Sequence, residues 1–465
     1  MSVLDLSRWQ FAITTVYHFL FVPVSIGLAV FTAGFHTAWY RTRKPEWLRL
    51  TRFFGKLLLV SFAVGVVTGI VQEFQFGMNW SGYSRFVGDI FGAPLAVEAL
   101  AAFFLESTFL GLWIFGWNRL PHRLHLASIW LVAIASSMSA YFILAANSWM
   151  QHPVGYEVNP VSGRAEMTSF FDLLTNQTVL WAFPHTIFGA LATGGMIVLG
   201  VSAWYLLRGR EVPMFCRSAK LALPVVLAAT VLTALVGHFQ AQHMTDVQPM
   251  KMAAAEALYD TSAPAPFSLF AVAPFEKTPE RTTFNIEVPH GLSLLATNSW
   301  NGKVEGINDL QRRYERQYGP GDYTPVVGVT YWSFRIMVGT GTLMILFSLL
   351  GLVLARRGRL PVSHRFLGWA VPLVALPFVA NATGWIFTEM GRQPWIVQGL
   401  LRTEQAVSPG LSTGEVAASL ATFTALYGVL AAVAMWLVLR IVRHGPKPET
   451  DAAGRPQDPD LQLAY

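Results

Sequence analysis

The sequence predicts an all-α protein with nine membrane-spanning helices. Of its 465 residues, 53% are hydrophobic and only 13% are charged, whereas a soluble protein carries about 25% charged residues. Long apolar runs recur along almost the whole chain and are separated by mostly short polar connections. These observations exclude a set of soluble domains and indicate a polytopic membrane protein.

Nine apolar runs are long enough to cross a bilayer, which takes roughly 20 residues. They cover residues 11–35, 57–76, 94–117, 127–146, 179–207, 221–239, 326–355, 368–387 and 416–442. Lys and Arg cluster in alternate connections, at 41–56, 119–123, 208–220, 356–365 and 440–447. Because basic connections stay on the cytoplasmic side, the N-terminus is predicted outside and the C-terminus in the cytoplasm.

One connection, 240–325, is long, and this charge pattern places it outside. Within it, residues 250–259 (MKMAAAEALY) favour a short helix, and the Pro residues in 262–266 break it. The chain therefore divides into residues 1–239 with six spans, an extracytoplasmic loop at 240–325, and residues 326–443 with three spans. Residues 444–465, rich in Pro, Asp and Gly, are predicted to form a disordered cytoplasmic tail.

The charge and the cysteine content exclude other classes of site. The formal charge of +6 does not indicate nucleic-acid binding, because the basic residues fall in short connections. The single cysteine, Cys216, excludes a disulfide framework and a thiolate metal cluster within the chain. Without a C-x-x-C-H motif, any haem is expected to be held non-covalently. No leader or cleavage pattern precedes the first apolar run, which is expected to remain as a helix.

The eighth run ends in ionisable residues. The stretch 384–395 (GWIFTEMGRQPW) contains Glu389 and Arg392, and its Trp385 and Trp395 suit the membrane–water boundary. An ionisable group near the hydrocarbon is costly, so these residues are functional candidates. The alternative is an interfacial ion pair that caps a helix.

Further polar or metal-ligating side chains fall in the outer half of spans that run in opposite directions. They are His18, Glu73, Glu98, Glu106, His185, Arg335 and Met337. Independent structural residues should scatter in depth, so this clustering predicts one polar site near the outer face.

The residue types of this site suggest haem. Imidazole and thioether are a recognised axial pair for low-spin haem, which His185 and Met337 could supply. Arg335 could balance propionate charge, and His18 and Glu389 are candidates for two further irons. Gly189, Gly339 and Gly341 would let a flat macrocycle approach the backbone. The alternatives are hydrogen-bonded packing histidines and a methionine that fills the core.

Two pairs of charged residues suggest proton chemistry. Glu98 and Glu106 lie about 80° apart around a helix, so both can face one interior channel and relay protons. The alternative is that each pairs with an arginine of a neighbouring helix. Lys251 and Glu256 in the long connection could bind and deprotonate a hydroquinone, but alone they would count as ordinary solvated charge.

Six segments in matching order resemble subunit I of cytochrome bd-type quinol oxidases. They lie at 7–23 (SRWQF to YHFLFVP), 68–80, 92–108, 146–151 (ANSWMQ), 332–339 (WSFRIMVG) and 384–395. The resemblance covers almost all of residues 1–443. It implies two four-helix bundles plus a ninth helix, three haems near the outer face, quinol oxidation in a short-form loop, and reduction of O₂ to water.

The resemblance also implies roles for single residues. His185 and Met337 match the ligands of low-spin haem b, with Arg335 beside it. His18 and Glu389 match the ligands of two high-spin haems, a haem b and a haem d or third b-type haem, and which residue holds which stays open. Further cofactor-binding residues are Trp385 and Arg392.

The remaining matches concern protons and substrate. Glu98 and Glu106 match proton-path or haem-adjacent acids, and Glu389 is counted with them as catalytic. In the segment 248–256, Lys251 and Glu256 match the expected quinol contacts. Proton uptake from the cytoplasm and release outside would charge the membrane without a pump.

The implied protein is a terminal oxidase subunit of the bacterial plasma membrane. Its implied partners are a second large membrane subunit, quinol, O₂ and lipid. A small single-helix subunit is an optional further partner, and nucleic acid is not expected as a partner. The alternatives are a cyanide-insensitive quinol oxidase with only b-type haems, a cytochrome that only transfers electrons, and a proton-coupled transporter.

Overall fold

The computed structural model describes residues 1–272, 284–358 and 363–447. In these ranges nine helices are long and apolar enough to cross a membrane, and we call them spans 1 to 9. They are Val3–Thr42, Pro45–Met78, Ser81–Phe115, His122–Gln151, Phe170–Leu207, Val212–Val247, Val327–Arg356, His364–Met390 and Thr413–His444. Each overlaps one predicted run, which confirms the all-α membrane fold. Most of the predicted disordered tail, residues 448–465, lies outside the described residues.

Spans 1 and 9 extend beyond their apolar runs, and polar residues cap their first turns. Ser2 and Asp5 form a reciprocal capping box at the start of span 1, and Ser412 and Glu415 form another before span 9. Span 1 has 40 residues, so it is about 60 Å long, roughly twice the hydrocarbon thickness. Its ends must therefore project from the bilayer.

Span 3 differs from its prediction at its first half. The sequence placed Glu98 at the start of this span, but the helix begins at Ser81, so the predicted start was wrong. The charged residues Arg85 and Asp89 interrupt the apolar sequence of this first half, so a search for apolar runs did not detect it. A π-helical segment, Glu98–Phe103, then separates the α-helices Ser81–Val97 and Phe104–Phe115.

Spans 1 to 4 pack as one group and spans 5 to 8 as another, and span 9 packs against spans 1 and 2. This confirms the two four-helix bundles plus one helix. Span 1 also packs against span 5, where Gly27 meets Gly194. A Cβ on either glycine would overlap the backbone of the other helix, so both positions need glycine for the bundles to meet.

Because consecutive spans are antiparallel, the connections after the even-numbered spans lie at one end of the molecule, which we call the loop end. Its larger elements are the helices Pro249–Ala255, Gly291–Thr297 and Ile307–Tyr318 and the antiparallel strands Phe267–Val272 and Phe284–Val288. Shorter strand pairs are Tyr156–Val158 with Ala165–Met167 and Trp395–Val397 with Leu401–Arg402. The helix predicted within 250–259 is confirmed.

Candidate functional site

Both predicted haem-ligating histidines have one ring nitrogen bound to the protein. His185 Nδ1 lies 3.0 Å from the carbonyl oxygen of Thr233. A carbonyl only accepts, so Nδ1 carries the proton. His18 Nδ1 lies 2.8 Å from Thr68 Oγ1, whose hydroxyl donates to the Val64 carbonyl. In both histidines Nε2 keeps its lone pair, which is the state in which an imidazole binds iron.

Three of the predicted haem ligands, His185, His18 and Met337, each face a glycine of the neighbouring span. A Cβ at Gly237 would lie 3.1 Å from His185 Cε1, and one at Gly69 would lie 3.2 Å from His18 Cε1. A Cβ at Gly384 would lie 3.0 Å from the Met337 sulfur. These side chains therefore depend on the missing Cβ for their positions.

The glycines singled out from the sequence lie elsewhere. Gly339 and Gly341, predicted to face the macrocycle, have no described protein atom within 4 Å of an added Cβ. Gly189 faces Asn381 Oδ1 at 3.7 Å.

Span 8 connects the two bundles at the site. Its Trp385 ring lies 4.1 Å, centroid to centroid, from Phe19, the neighbour of His18 in span 1. One turn later, Glu389 Oε1 accepts a hydrogen bond of 2.9 Å from Asn147 Nδ2 of span 4. His185 and Met337 belong to the bundle of spans 5 to 8, and His18 belongs to the other. The predicted ligands therefore lie on both sides of the bundle interface.

Two buried guanidinium groups have unused donors. Arg392 is 3% exposed and forms an ion pair with Glu389, but its Nε and Nη1 have no partner among the described residues. Arg335 donates to Glu256 at 2.6 Å and to the Ser268 carbonyl at 2.7 Å, and its Nη1 has no described partner. Leaving a charged donor unpaired is costly, so an anionic group is expected beside each arginine.

The two arginines and the two histidines together fit haem. Haem propionates are anions that unpaired guanidinium donors can bind, and its iron takes imidazole nitrogen and thioether sulfur. The helix-capping ion pair considered as an alternative is present, but it uses only part of the Arg392 guanidinium.

Lys251, in the short helix Pro249–Ala255, contacts the end of span 8 and is buried from solvent. It is 5% exposed, and its ammonium donates to the Thr388 carbonyl at 2.9 Å and to Gln151 Oε1 at 3.1 Å. Thr388 O is one of the last carbonyls of span 8, where a cation is favourable. Burial nevertheless lowers the pKa of Lys251 to about 7, although the Glu389 carboxylate acts to raise it.

Glu256 is buried against Arg335. Its side chain is 2% exposed, and its Oε2 lies 2.6 Å from Arg335 Nη2. Burial raises the pKa of Glu256 to about 7, and the neighbouring guanidinium only partly opposes this. The interpretation of Lys251 and Glu256 as ordinary solvated charge is therefore wrong.

Glu98 and Glu106 both face span 4. Ser139 Oγ donates to Glu98 Oε1 at 2.6 Å, and Ser136 Oγ donates to Glu106 Oε1 in a short hydrogen bond. The π segment begins at Glu98 and ends before Glu106, and it absorbs one residue, so the two acids are about 20° apart around the helix instead of about 80°. The predicted common face is therefore present, and among the described residues the hydrogen-bond partners of the two acids are serines and not the arginines of the alternative. Glu73 of span 2 is exposed.

The comparisons with known proteins agree with this geometry. The family model of cytochrome bd terminal oxidase subunit I matches residues 6–446. The chain belongs to this family. The predicted resemblance is thereby confirmed.

Individual relatives match over nearly the whole chain. Cytochrome bd ubiquinol oxidase subunit 1 of Bacillus subtilis is 51% identical over 96% of this chain and 94% of its own length. Cytochrome bd-II ubiquinol oxidase subunit 1 of Escherichia coli is 40% identical, covering 96% and 97%. The structure of bd oxidase from Geobacillus thermodenitrificans superposes with a TM-score of 0.86 at 27% identity, covering 96% of this chain and 99% of that one.

The structure adds residues that the sequence did not single out in this cytochrome bd subunit. They support the predicted site residues by hydrogen bonds, and they are Thr68, Ser136, Ser139, Asn147, Gln151 and Gln248. Asn147, Gln151 and Thr68 lie in segments that carried the resemblance, so a signal for them existed. Nothing in the sequence distinguished the two serines from the many other small residues in the spans.

Proposed function

We propose that this chain oxidises quinol at its loop end and holds the haems of a bd-type terminal oxidase in the bacterial plasma membrane. The observation that carries the proposal is the buried contact between Glu256 and Arg335. It joins the predicted quinol acid to the residue two positions before the predicted haem ligand Met337. This one ion pair would therefore connect the acid at which the substrate is oxidised to the span that binds haem.

Glu256 and Lys251 would bind and deprotonate the quinol. Oxidation of a quinol to a quinone releases two protons and two electrons. With a pKa of about 7, Glu256 is partly ionised at neutral pH and can accept one of these protons. Lys251, whose pKa is also about 7, can donate a hydrogen bond to a quinol oxygen while protonated. The connection 240–325 would then be the quinol-binding unit of the chain, although its residues 273–283 lie outside the described part.

The two bundles would hold three haems. His185 and Met337 would bind low-spin haem b, and His18 and Glu389 would bind the two high-spin haems, one b-type and the other d-type or a third b-type. Trp385 would lie close to these haems, and Arg335 and Arg392 would bind propionates. When bound, the haems carry the quinol electrons and supply the iron at which O₂ is reduced to water.

Glu106 and Glu98 would conduct the protons that O₂ reduction consumes. Their carboxyl groups face the same side of span 4, and each accepts a hydrogen bond from a serine hydroxyl, Ser136 for Glu106 and Ser139 for Glu98. Such groups can hold and pass a proton within a membrane. With uptake from the cytoplasm and release of quinol protons outside, both movements charge the membrane in the same direction.

The orientation and the partners follow from the charge pattern and the family. The loop end would face outside, with the N-terminus there and the C-terminus in the cytoplasm. The B. subtilis and E. coli relatives are each described as subunit 1, so we infer a second large membrane subunit. A small single-helix subunit is an optional further partner.

A reduced-minus-oxidised spectrum of the purified complex, with pyridine haemochrome analysis, tests this function. We expect Soret absorption from three haems, and His185→Ala should remove the low-spin signal and the reduction by quinol. A complex with only b-type haems would support the cyanide-insensitive alternative. A colourless complex would refute haem-based oxidation and favour a transporter.

A further inference from the structure

The strands Phe267–Val272 and Phe284–Val288, which we call the outer hairpin, have two chemically different faces. Directly paired residues of antiparallel strands point to the same side. Phe270 pairs with Ile286 and Val272 with Phe284, so these apolar side chains share one face. A register shift between Ser268 and Phe270 sets this alternation.

The other face is polar, and its residues on the strand Phe267–Val272 turn toward the protein, whereas Glu287 on the paired strand is exposed. Ser268 Oγ donates to Asn285 Oδ1 at 2.6 Å, and Asn285 Nδ2 donates to Glu287 Oε1 at 2.6 Å. Ser268 is buried and its hydroxyl lies 2.8 Å from Tyr331 of span 7. Ala271 on the same face is fully buried.

The exposure of the outer hairpin is inverted relative to a hairpin on a soluble protein. Phe270, Val272, Phe284 and Ile286 are between 42% and 55% exposed, whereas a half-buried hairpin in water turns its apolar face to the core. A contiguous exposed apolar patch of this kind marks a surface that is covered by something other than water.

The contacts of the outer hairpin fix its depth. Its Ser268 carbonyl accepts a hydrogen bond of 2.7 Å from Arg335 Nε. No charged residue lies between Arg335 and Arg356 in span 7, and the two are about 31 Å apart at 1.5 Å per residue. This is roughly the thickness of the hydrocarbon core, so Arg335 and the hairpin strand lie at its loop-end boundary.

The apolar face also continues the lipid-facing surface of span 7. The ring of Phe270 lies 5.2 Å from that of Trp332, and one turn further Ile336 is exposed. Tryptophan is typical of the membrane–water interface. An apolar surface at this depth, joined to the side of a span, matches the boundary between headgroups and acyl chains.

We propose that the outer hairpin is seated in the loop-end leaflet, with its apolar face against lipid and its polar face against span 7. The hairpin thereby acts as a lipid-anchored wall beside Glu256, because its Ser268 backbone holds Arg335, the partner of Glu256. The seating does not depend on the proposed function. A second consequence does rest on it: the lipid-soluble quinol would reach Glu256 along this wall from the bilayer.

Fluorescence quenching in the complete complex tests the seating. Cys216→Ser removes the single cysteine, and Ile286→Cys or Phe284→Cys then places a fluorescent label on the apolar face. Glu287→Cys on the opposite face is the matched control. The complex is placed in nanodiscs made with lipids brominated on their acyl chains, and iodide is added separately as a quencher in water.

Labels at 286 and 284 should be quenched by brominated lipid and protected from iodide, and the label at 287 should not be quenched by the lipid. Quenching of the apolar-face labels by iodide alone would show that the face meets water. Protection from both quenchers would show that protein, such as a second subunit, covers it. Either result would overturn the lipid seating.

A kinetic measurement separates this inference from the proposed function. Phe270→Lys should raise the KM for a quinol with a long isoprenoid tail more than the KM for a short-tailed, water-soluble quinol, and Glu287→Lys should change neither. An equal rise for both quinols would overturn entry along the hairpin. If the unsubstituted complex oxidised no quinol, the proposed function would fail, while the quenching experiment would still decide the seating.

Discussion

Replacing Glu256 with glutamine should slow quinol oxidation and remove the part of its pH dependence that increases the rate between about pH 6 and about pH 8. Burial raises the pKa of this carboxyl to about 7 against the opposing effect of Arg335. Such a group is about one-tenth ionised at about pH 6 and about nine-tenths ionised at about pH 8. Because only the ionised form accepts the quinol proton, the factor that Glu256 contributes to kcat/KM, measured as the ratio of the unsubstituted enzyme to the glutamine variant at each pH, should rise about tenfold over this interval.

The glutamine variant preserves the local contacts while removing the proton acceptor. Its amide oxygen can still accept the hydrogen bond from Arg335 Nη2, which lies 2.6 Å from Glu256 Oε2. The bond from Arg335 Nε to the Ser268 carbonyl is unaffected. We therefore expect unchanged haem content, and a kcat/KM that is lower by about 10²-fold or more and does not rise with pH, as for loss of a general base.

The assay is O₂ uptake by the purified complex with quinol across this pH interval, accompanied by its haem spectrum. Glu305→Gln is the matched control. Glu305 lies in the same connection as Glu256 and likewise pairs with an arginine, Arg313, at 2.7 Å. Unlike the buried pair of Glu256 and Arg335, both side chains of this pair are partly exposed. An exposed pair contributes about 1 kcal/mol or less, so this variant should behave as the unsubstituted enzyme.

Unchanged kcat/KM and an unchanged rise with pH in Glu256→Gln would refute this role for Glu256. The sign of the pH dependence also separates it from Lys251. A Lys251 ammonium with a pKa of about 7 is lost as pH rises, so activity limited by that cation would fall with pH instead of rising.

Three further variants test the rest of the site. His185→Ala should abolish the low-spin haem signal in a reduced-minus-oxidised spectrum, because it removes the Nε2 that the Thr233 carbonyl holds in its metal-binding tautomer. Thr68→Val removes the 2.8 Å partner of His18 Nδ1 and should weaken retention of the haem that His18 is proposed to bind by about 10-fold or more, whereas Thr68→Ser should keep it. Glu106→Gln should slow turnover by at least about 10-fold without altering haem content; normal proton-coupled turnover would show that this acid is only structural.

The spans could be predicted because the bilayer restricts what a sequence can contain. A segment that crosses it needs length, hydrophobicity and few charges, and span 7 shows all three between Arg335 and Arg356. The same restriction made the candidate site visible, because His18, His185 and Glu389 are expensive exceptions in such segments. The first half of span 3 was missed for the converse reason. It contains the charged residues Arg85 and Asp89, which lie at the loop end and not in the membrane, so its sequence is not a continuous apolar run.

The partners of the site residues could not be predicted, because they depend on which spans meet. The acceptor that orients His185 is a backbone carbonyl on span 6, which no side-chain motif encodes. The common face of Glu98 and Glu106 depends on the π segment between them, which an ideal helix does not contain. Ser136 and Ser139 become identifiable only when span 4 is placed against that face.

The short helix Pro249–Ala255 explains why a connection outside the spans belongs to the same site. Lys251 within it donates to the carbonyl of Thr388, the residue before the predicted ligand Glu389. Glu256 at its end binds Arg335, two residues before the predicted ligand Met337. A shift of this helix would have to break a buried cationic contact at one end or a buried ion pair at the other, and leaving one partner of such a pair alone costs about 3–5 kcal/mol. The positions of Lys251 and Glu256 are therefore set by spans 8 and 7, the two helices that carry these predicted ligands.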